Sequence, residues 1–130
     1  MPERRKKVLL VDDSLLILRM ASTFLATEYD VITAPSGESA REKALREKPD
    51  LIVMDLNMPG DSGVEVARAL RQHPRARGIP VLIMTTDSEV ASLPPELDHI
   101  VKPFDGPALL AKVARYLEVT SPAGAPRDRR

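Results

Sequence analysis

The stretch Pro49-Asp50-Leu51-Ile52-Val53-Met54-Asp55-Leu56-Asn57-Met58-Pro59-Gly60 decides the architecture. Leu51 to Met54 run without a polar break into Asp55, and Met58-Pro59-Gly60 then turns the chain. A strand with one wet face alternates apolar and polar residues. This one does not, so both its faces must be covered, as in a parallel sheet flanked by helices. Val8 to Val11 and Val81 to Met84 repeat the pattern, Ile100-Val101 is a shorter version of it, and Tyr29 to Thr33 is a further short strand candidate.

Helical patterns fill the intervals. Asp13 to Glu28 carries Leu16, Met20 and Phe24 in an i, i+4, i+8 stripe. Ser36 caps a helix running to about Lys48, with Ala40, Ala44 and Leu45 inward. Ser62 to Gln72 aligns Val64, Ala67 and Leu70 or Arg71. Asp105 caps a last helix with Pro107 in its first turn and Leu109, Leu110, Val113 and Leu117 inward. Alternating strands and helices of this spacing predict a doubly wound α/β fold with five parallel strands.

The chain has 130 residues, enough for one core, and no cysteine, which removes disulfides and thiolate metal sites. Its apolar runs are too short to span a membrane, and no signal-peptide stretch follows the basic start, so a cytoplasmic protein is expected. Residues 1–7 read as a basic leader, 8–118 as the folded domain, and 119–130, with two prolines and one glycine, as a flexible tail or linker. Residues 8–118 hold 12 basic and 17 acidic side chains, a net of −5. An acidic body argues against a nucleic-acid groove, so no nucleic-acid partner and no membrane partner are expected.

Ligands of open α/β sheets bind beyond the carboxyl ends of the strands. Strand one ends in Asp12-Asp13, strand three in Asp55, strand four in Thr85-Thr86 and strand five in Lys102-Pro103. Three close carboxylates resist ionising beside one another. A hard divalent cation relieves that repulsion, and magnesium favours such oxygen ligands together with phosphate. A lysine ammonium and a hydroxyl complete a set able to position and neutralise a phosphoryl group, with a carboxylate as its acceptor. Each residue has a plainer reading: Asp12-Asp13 as a helix cap, Asp55 as a turn residue, Thr85 as a strand-end residue, Lys102 as a solvated charge. Convergence at one rim favours the chemical reading. His73, in a loop before Pro74, reads as inert, and the methionines as core or loop.

These residues carry a resemblance. Val8-Leu9-Leu10-Val11-Asp12-Asp13, the Pro49–Gly60 stretch, Gly63, Pro80-Val81-Leu82-Ile83-Met84-Thr85 and Val101-Lys102-Pro103-Phe104 together resemble a CheY-like response-regulator receiver domain of two-component signalling, over about residues 7–118. The resemblance implies a flavodoxin-like sheet of order 2-1-3-4-5. It implies Asp55 as phosphoacceptor, and Asp13 and Asp55 as direct magnesium ligands. Asp12 would act largely through water, and Asn57 would offer its backbone carbonyl. Thr85 and Lys102 would bind phosphoryl oxygens, and Lys102-Pro103 would be a cis peptide. The implied partners are a sensor histidine kinase or histidine phosphotransfer protein and a downstream protein target. No turnover enzyme is implied.

The sequence departs from that pattern in three places. Asp87 to Asp98 contains Pro94-Pro95 where the family fits a full helix, so the fourth helix is expected to be short or missing, with at most one or two turns between Asp87 and Leu93. His99 stands where the family often has Tyr or Phe as a switch; it is either a moving side chain or a strand-edge histidine. Thr86 replaces a smaller residue beside the site. Two other functions compete. A pseudo-receiver would bind partners without phosphate chemistry. A haloacid-dehalogenase-like phosphatase would need a second acid two residues after the nucleophile, where Asn57 stands.

Overall fold

Residues 5–117 are described by a computed structural model. Five parallel strands form one sheet: β1 (Lys7–Val11), β2 (Asp30–Ala34), β3 (Leu51–Asp55), β4 (Val81–Thr86) and β5 (Asp98–Lys102), in the order β2-β1-β3-β4-β5. Four α-helices connect and cover them: α1 (Leu15–Leu25), α2 (Gly37–Glu47), α3 (Gly63–Gln72) and α4 (Gly106–Leu117). The five-strand, doubly wound expectation and its strand order hold. Residues 1–4 of the expected leader, residue 118 of the expected domain and the whole expected tail, 119–130, lie outside the described residues.

The unbroken apolar runs have a direct explanation in the two cores. Leu9, Val11, Ile52, Met54 and Ile83 face one side, with Ala40 and Ala44 of α2 and Val66, Ala67 and Leu70 of α3. Their neighbours Val8, Leu10, Leu51, Val53, Leu82 and Met84 face the other, with Leu18, Ala21 and Leu25 of α1 and Leu109, Val113 and Leu117 of α4. Successive strand side chains point to opposite faces, so a strand buried on both sides must be apolar at every position.

Caps set the helix starts. Ser36 Oγ accepts from Ser39 N, Ser62 Oγ from Val64 N, and Asp105 Oδ1 from Ala108 N at 2.8 Å. In α1 the cap is Ser14, which accepts from Ile17 N, not either aspartate before it. The face of α1 also differs from expectation. Leu18, Ala21 and Leu25 are buried, whereas Leu16 is 77% exposed and Leu15 69%. The segment is apolar nearly all round, so its periodicity admits two stripes, and packing on the sheet selects one. Phe24, from the expected stripe, instead covers the start of α4: a Cβ on Gly106 would fall 2.2 Å from its ring.

The fourth crossover departs from the other three. After Thr86 the chain makes only a 3-10 helix, Asp87–Ser92, before the Pro94-Pro95 pair, so the expected shortening is present. Leu93 and Leu97 still pack against the core on this side.

Candidate functional site

The carboxyl ends of the strands bring the named side chains to one rim. Register places Val11 beside Met54, Asp55 beside Met84, and Thr86 beside Lys102. Asp12 and Asp55 therefore leave adjacent strands on the same edge, and both are buried. Lys102 Nζ crosses from the far side of β4 and donates to Asp12 Oδ2 at 2.9 Å and to Asp55 Oδ1 at 3.1 Å. One carboxylate oxygen each from Asp12, Asp13 and Asp55 lies within 4.8 Å of the others, with Asp13 exposed to solvent.

The charges at this rim do not balance. Burial pushes the Asp55 carboxyl above its ordinary range, the neighbouring Asp12 charge pushes it further, and Lys102 offsets only part of this. Burial alone would lower the Lys102 ammonium, but its hydrogen bond to Asp12 and the charges of Asp55 and Asp12 carry it above its usual value. The Lys102 ammonium is thus shared among neighbouring acids. The donor set, two buried carboxylates and one exposed to solvent, fits a hard divalent ion with oxygen ligands.

The backbone under Asp55 is tightly held. Leu56 N donates to Met84 O at 2.9 Å, and Gly63 N donates to Leu56 O at 2.7 Å. A Cβ on Gly63 would lie 2.3 Å from the Asp55 carbonyl oxygen, so α3 can begin this close only without a side chain there. Asp12 also braces the chain locally. Its Oδ1 accepts from Ser14 N at 2.9 Å, which fixes the turn into α1.

Thr85 is buried at the end of β4, and its hydroxyl makes a long 3.4 Å contact to Thr86 O. Lys102-Pro103 is cis. Asn57 is exposed in a short antiparallel ribbon, Asn57–Met58 with Asp61–Ser62. Its amide donates to both oxygens of Glu89, at 2.9 and 2.8 Å. Glu89 also accepts from Thr86 Oγ1 at 2.9 Å. Sequence reasoning missed Glu89, because its contact with Asn57 spans 32 residues and no periodicity signals it. His99 sits on β5 opposite Ile83, partly buried, with its backbone N–H on Asp98 Oδ1.

Beside Lys102 lies an apolar cleft of about 400 Å³ lined by Ile17, Met20, Thr86, Lys102, Pro103 and Phe104. Among the described residues no helix is long and apolar enough to cross a membrane.

Comparison with known proteins agrees with this geometry. Residues 8–114 match the response regulator receiver domain family. The alkaline phosphatase synthesis transcriptional regulatory protein PhoP of Bacillus subtilis is 39% identical over 127 residues, covering 91% of this chain and 52% of PhoP. The structure of the chemotaxis response regulator CheY4 of Vibrio cholerae superposes with a TM-score of 0.76 at 34% identity, over 86% of this chain and 98% of that one. DrrB of Thermotoga maritima, an OmpR/PhoB homolog, gives a TM-score of 0.77 at 30% identity, over 88% of this chain and 53% of DrrB. The chain spans about half the length of the curated relatives it matches.

One expectation is overturned by these relatives. The acidic balance of residues 8–118 pointed away from nucleic acid, yet PhoP and the PhoB proteins of Rhizobium meliloti and Pseudomonas aeruginosa are transcriptional regulatory proteins. The charge of a span shared with half of such a protein does not describe the rest of it, so the exclusion of nucleic acid is withdrawn. With a parallel sheet of order 2-1-3-4-5, an acid cluster and lysine at its carboxyl rim, and matching sequence over residues 8–114, the chain belongs to the response regulator receiver domain family.

Proposed function

We propose that this chain is a phosphorylatable switch that takes a phosphoryl group from a histidine kinase, or from a histidine phosphotransfer protein, onto Asp55. The observation that carries the reading is the Lys102 ammonium bonded at once to Asp12 and Asp55 beside a third carboxylate. In the transfer an Asp55 oxygen bonds to phosphorus as the bond from phosphorus to the donor nitrogen breaks, and the donor leaves as imidazole. Asp13 and Asp55, the backbone carbonyl of Asn57, and Asp12 through water would hold magnesium. When bound, the ion would supply positive charge to the equatorial phosphoryl oxygens. Lys102 neutralises a further phosphoryl oxygen, and the Thr85 hydroxyl donates to another. The exposed Leu15 and Leu16 and the apolar cleft beside Lys102 favour a protein donor over a small molecule alone.

Asp55 acts here as an acceptor with slow self-dephosphorylation, not as the nucleophile of a turnover enzyme. Residues 8–118 form the receiver unit, between a basic leader and a tail, in a cytoplasmic protein. Phosphate on Asp55 changes the domain's protein–protein contacts, or passes onward in a relay. The transcriptional role named for relatives of about twice the length is the class of output such contacts would serve.

Incubation with radiolabelled acetyl phosphate and magnesium tests the reading. One phosphate retained per chain, absent in Asp55→Asn and without added metal, is the expected result. No label would leave a binding module without phosphate chemistry, and repeated turnover of an aryl phosphate would favour a phosphatase.

A further inference from the structure

Glu89 lies outside the acid cluster, yet it touches two residues that flank it. Its Oε1 accepts from Asn57 Nδ2 and Thr86 Oγ1, both at 2.9 Å, and its Oε2 accepts from Asn57 Nδ2 at 2.8 Å. Asn57 lies two residues beyond Asp55, and Thr86 ends β4 as the register partner of Lys102. The carboxylate therefore clasps the segments that leave two adjacent strands, β3 and β4, at the rim where Asp55 stands.

The chemistry of the clasp is specific. A carboxylate only accepts, so its partners must donate. The Asn57 amide and the Thr86 hydroxyl are thereby aimed at Glu89. Hydrogen bonds to an ionised acceptor are the strong kind, and the donors that hold this one are neutral. The clasp also anchors the 3-10 segment Asp87–Ser92, whose own N-cap residue, Thr86, makes no side-chain capping bond.

We propose that Glu89 is a positioning residue that withholds the Asn57 amide from the phosphoryl site, the Thr86 bond holding the carboxylate in place, and so prolongs the life of a phosphoryl group on Asp55. The inference rests on the phosphoacceptor reading above. Hydrolysis requires a water oxygen to bond to phosphorus, opposite the Asp55 oxygen, as the bond from phosphorus to Asp55 breaks. Asp55 leaves as carboxylate and the water proton goes to the released phosphate. The Asn57 amide, with a donor and an acceptor two residues from Asp55, can hold that water in line. Committed to Glu89, it is turned away from the water.

The test uses the full chain labelled with acetyl phosphate and magnesium, with loss of label followed after removal of the donor. Glu89→Ala should lose phosphate about tenfold faster than the unaltered chain. Glu89→Gln, which still accepts one hydrogen bond, should fall between them. In an Asn57→Ala background the further change Glu89→Ala should alter the rate by less than about twofold, because the partner it acts through is gone. Without any phosphodonor, the Asn57 side-chain amide resonances should shift in Glu89→Ala, which reports the clasp itself. Equal loss rates in the unaltered chain and Glu89→Ala, or a Glu89 effect that persists without the Asn57 amide, overturn the inference and leave Asp55 as acceptor. No label on the unaltered chain overturns the phosphoacceptor reading and the inference with it.

Discussion

The two ends of strand β5 hold their acids in opposite ways. At its start, Asp98 accepts from the Tyr116 hydroxyl at 2.6 Å and pairs with Lys112 at 3.3 Å, both on α4. At its end, Lys102 faces Asp12 and Asp55 together, with Asp13 beside them. At the first end donors exceed acids: burial raises the Asp98 carboxyl, but the bonds from Tyr116, the His99 N–H and Lys112 leave it below its ordinary value. At the second end acids exceed donors, and Asp55 is pushed up. One cluster fastens a helix to the sheet edge. The other keeps an unrelieved negative charge in a buried place, which stability alone does not favour and which fits a divalent cation.

The strongest way to break this contrast is to remove the ammonium at the crowded end. Lys102→Met should cut the rate of Asp55 labelling by about a hundredfold, as loss of one charge-stabilising donor does elsewhere. Lys112→Met, at the balanced end, should leave labelling unchanged. Equal losses in both variants would mean that general charge, not the rim, governs the reaction.

Metal and charge give a second, smaller separation. Magnesium at a hundred times its dissociation constant should stabilise the chain and Asp98→Asn alike by about 2.7 kcal/mol, and Asp55→Asn by much less. Without metal at neutral pH, the same two substitutions should move the melting temperature in opposite directions. Asp55 has a raised folded pKa, so its favourable state exists at low pH and is lost as pH rises through that value; the neutral amide should therefore stabilise. Asp98 has a depressed folded pKa, so its contribution is present above the ordinary value of 3.8 and fades as pH falls through the folded one; its amide should destabilise. Asp98's side chain is 43% exposed, and water screening holds that loss to about 1 kcal/mol or less. Parallel shifts in a thermal melt would contradict the contrast.

The finest test is Tyr116→Phe. It deletes one hydroxyl, leaves the ring against the core beside α4, and should cost about 1 kcal/mol. Burial and then the Asp98 bond raise the Tyr116 hydroxyl above 10, so this contribution should persist through neutral pH and be lost only in strong alkali. Labelling of Asp55 should not change, and a change would mean that the two ends of β5 are coupled.

The two ends of β5 also differ in how far they could be read in advance. Asp12, Asp55 and Lys102 were legible because each follows an apolar run, and chain order alone puts strand ends on one rim. Asp98 with Tyr116 was not, since an acid and a tyrosine 18 residues apart carry no pattern. Glu89 was missed for the same reason.

Sequence alone determined that Leu51 to Met54 would be buried on both faces, that the acids would end strands, and that Pro94-Pro95 would forbid a long fourth helix, because these follow from local patterning and backbone sterics. Only the tertiary structure decided that α1 buries Leu18 rather than Leu16, that Asp98 meets Tyr116 18 residues away, and that Glu89 closes on Asn57. Those outcomes depend on how packed elements meet in space, and contacts between chain-distant side chains leave no period in the sequence to betray them.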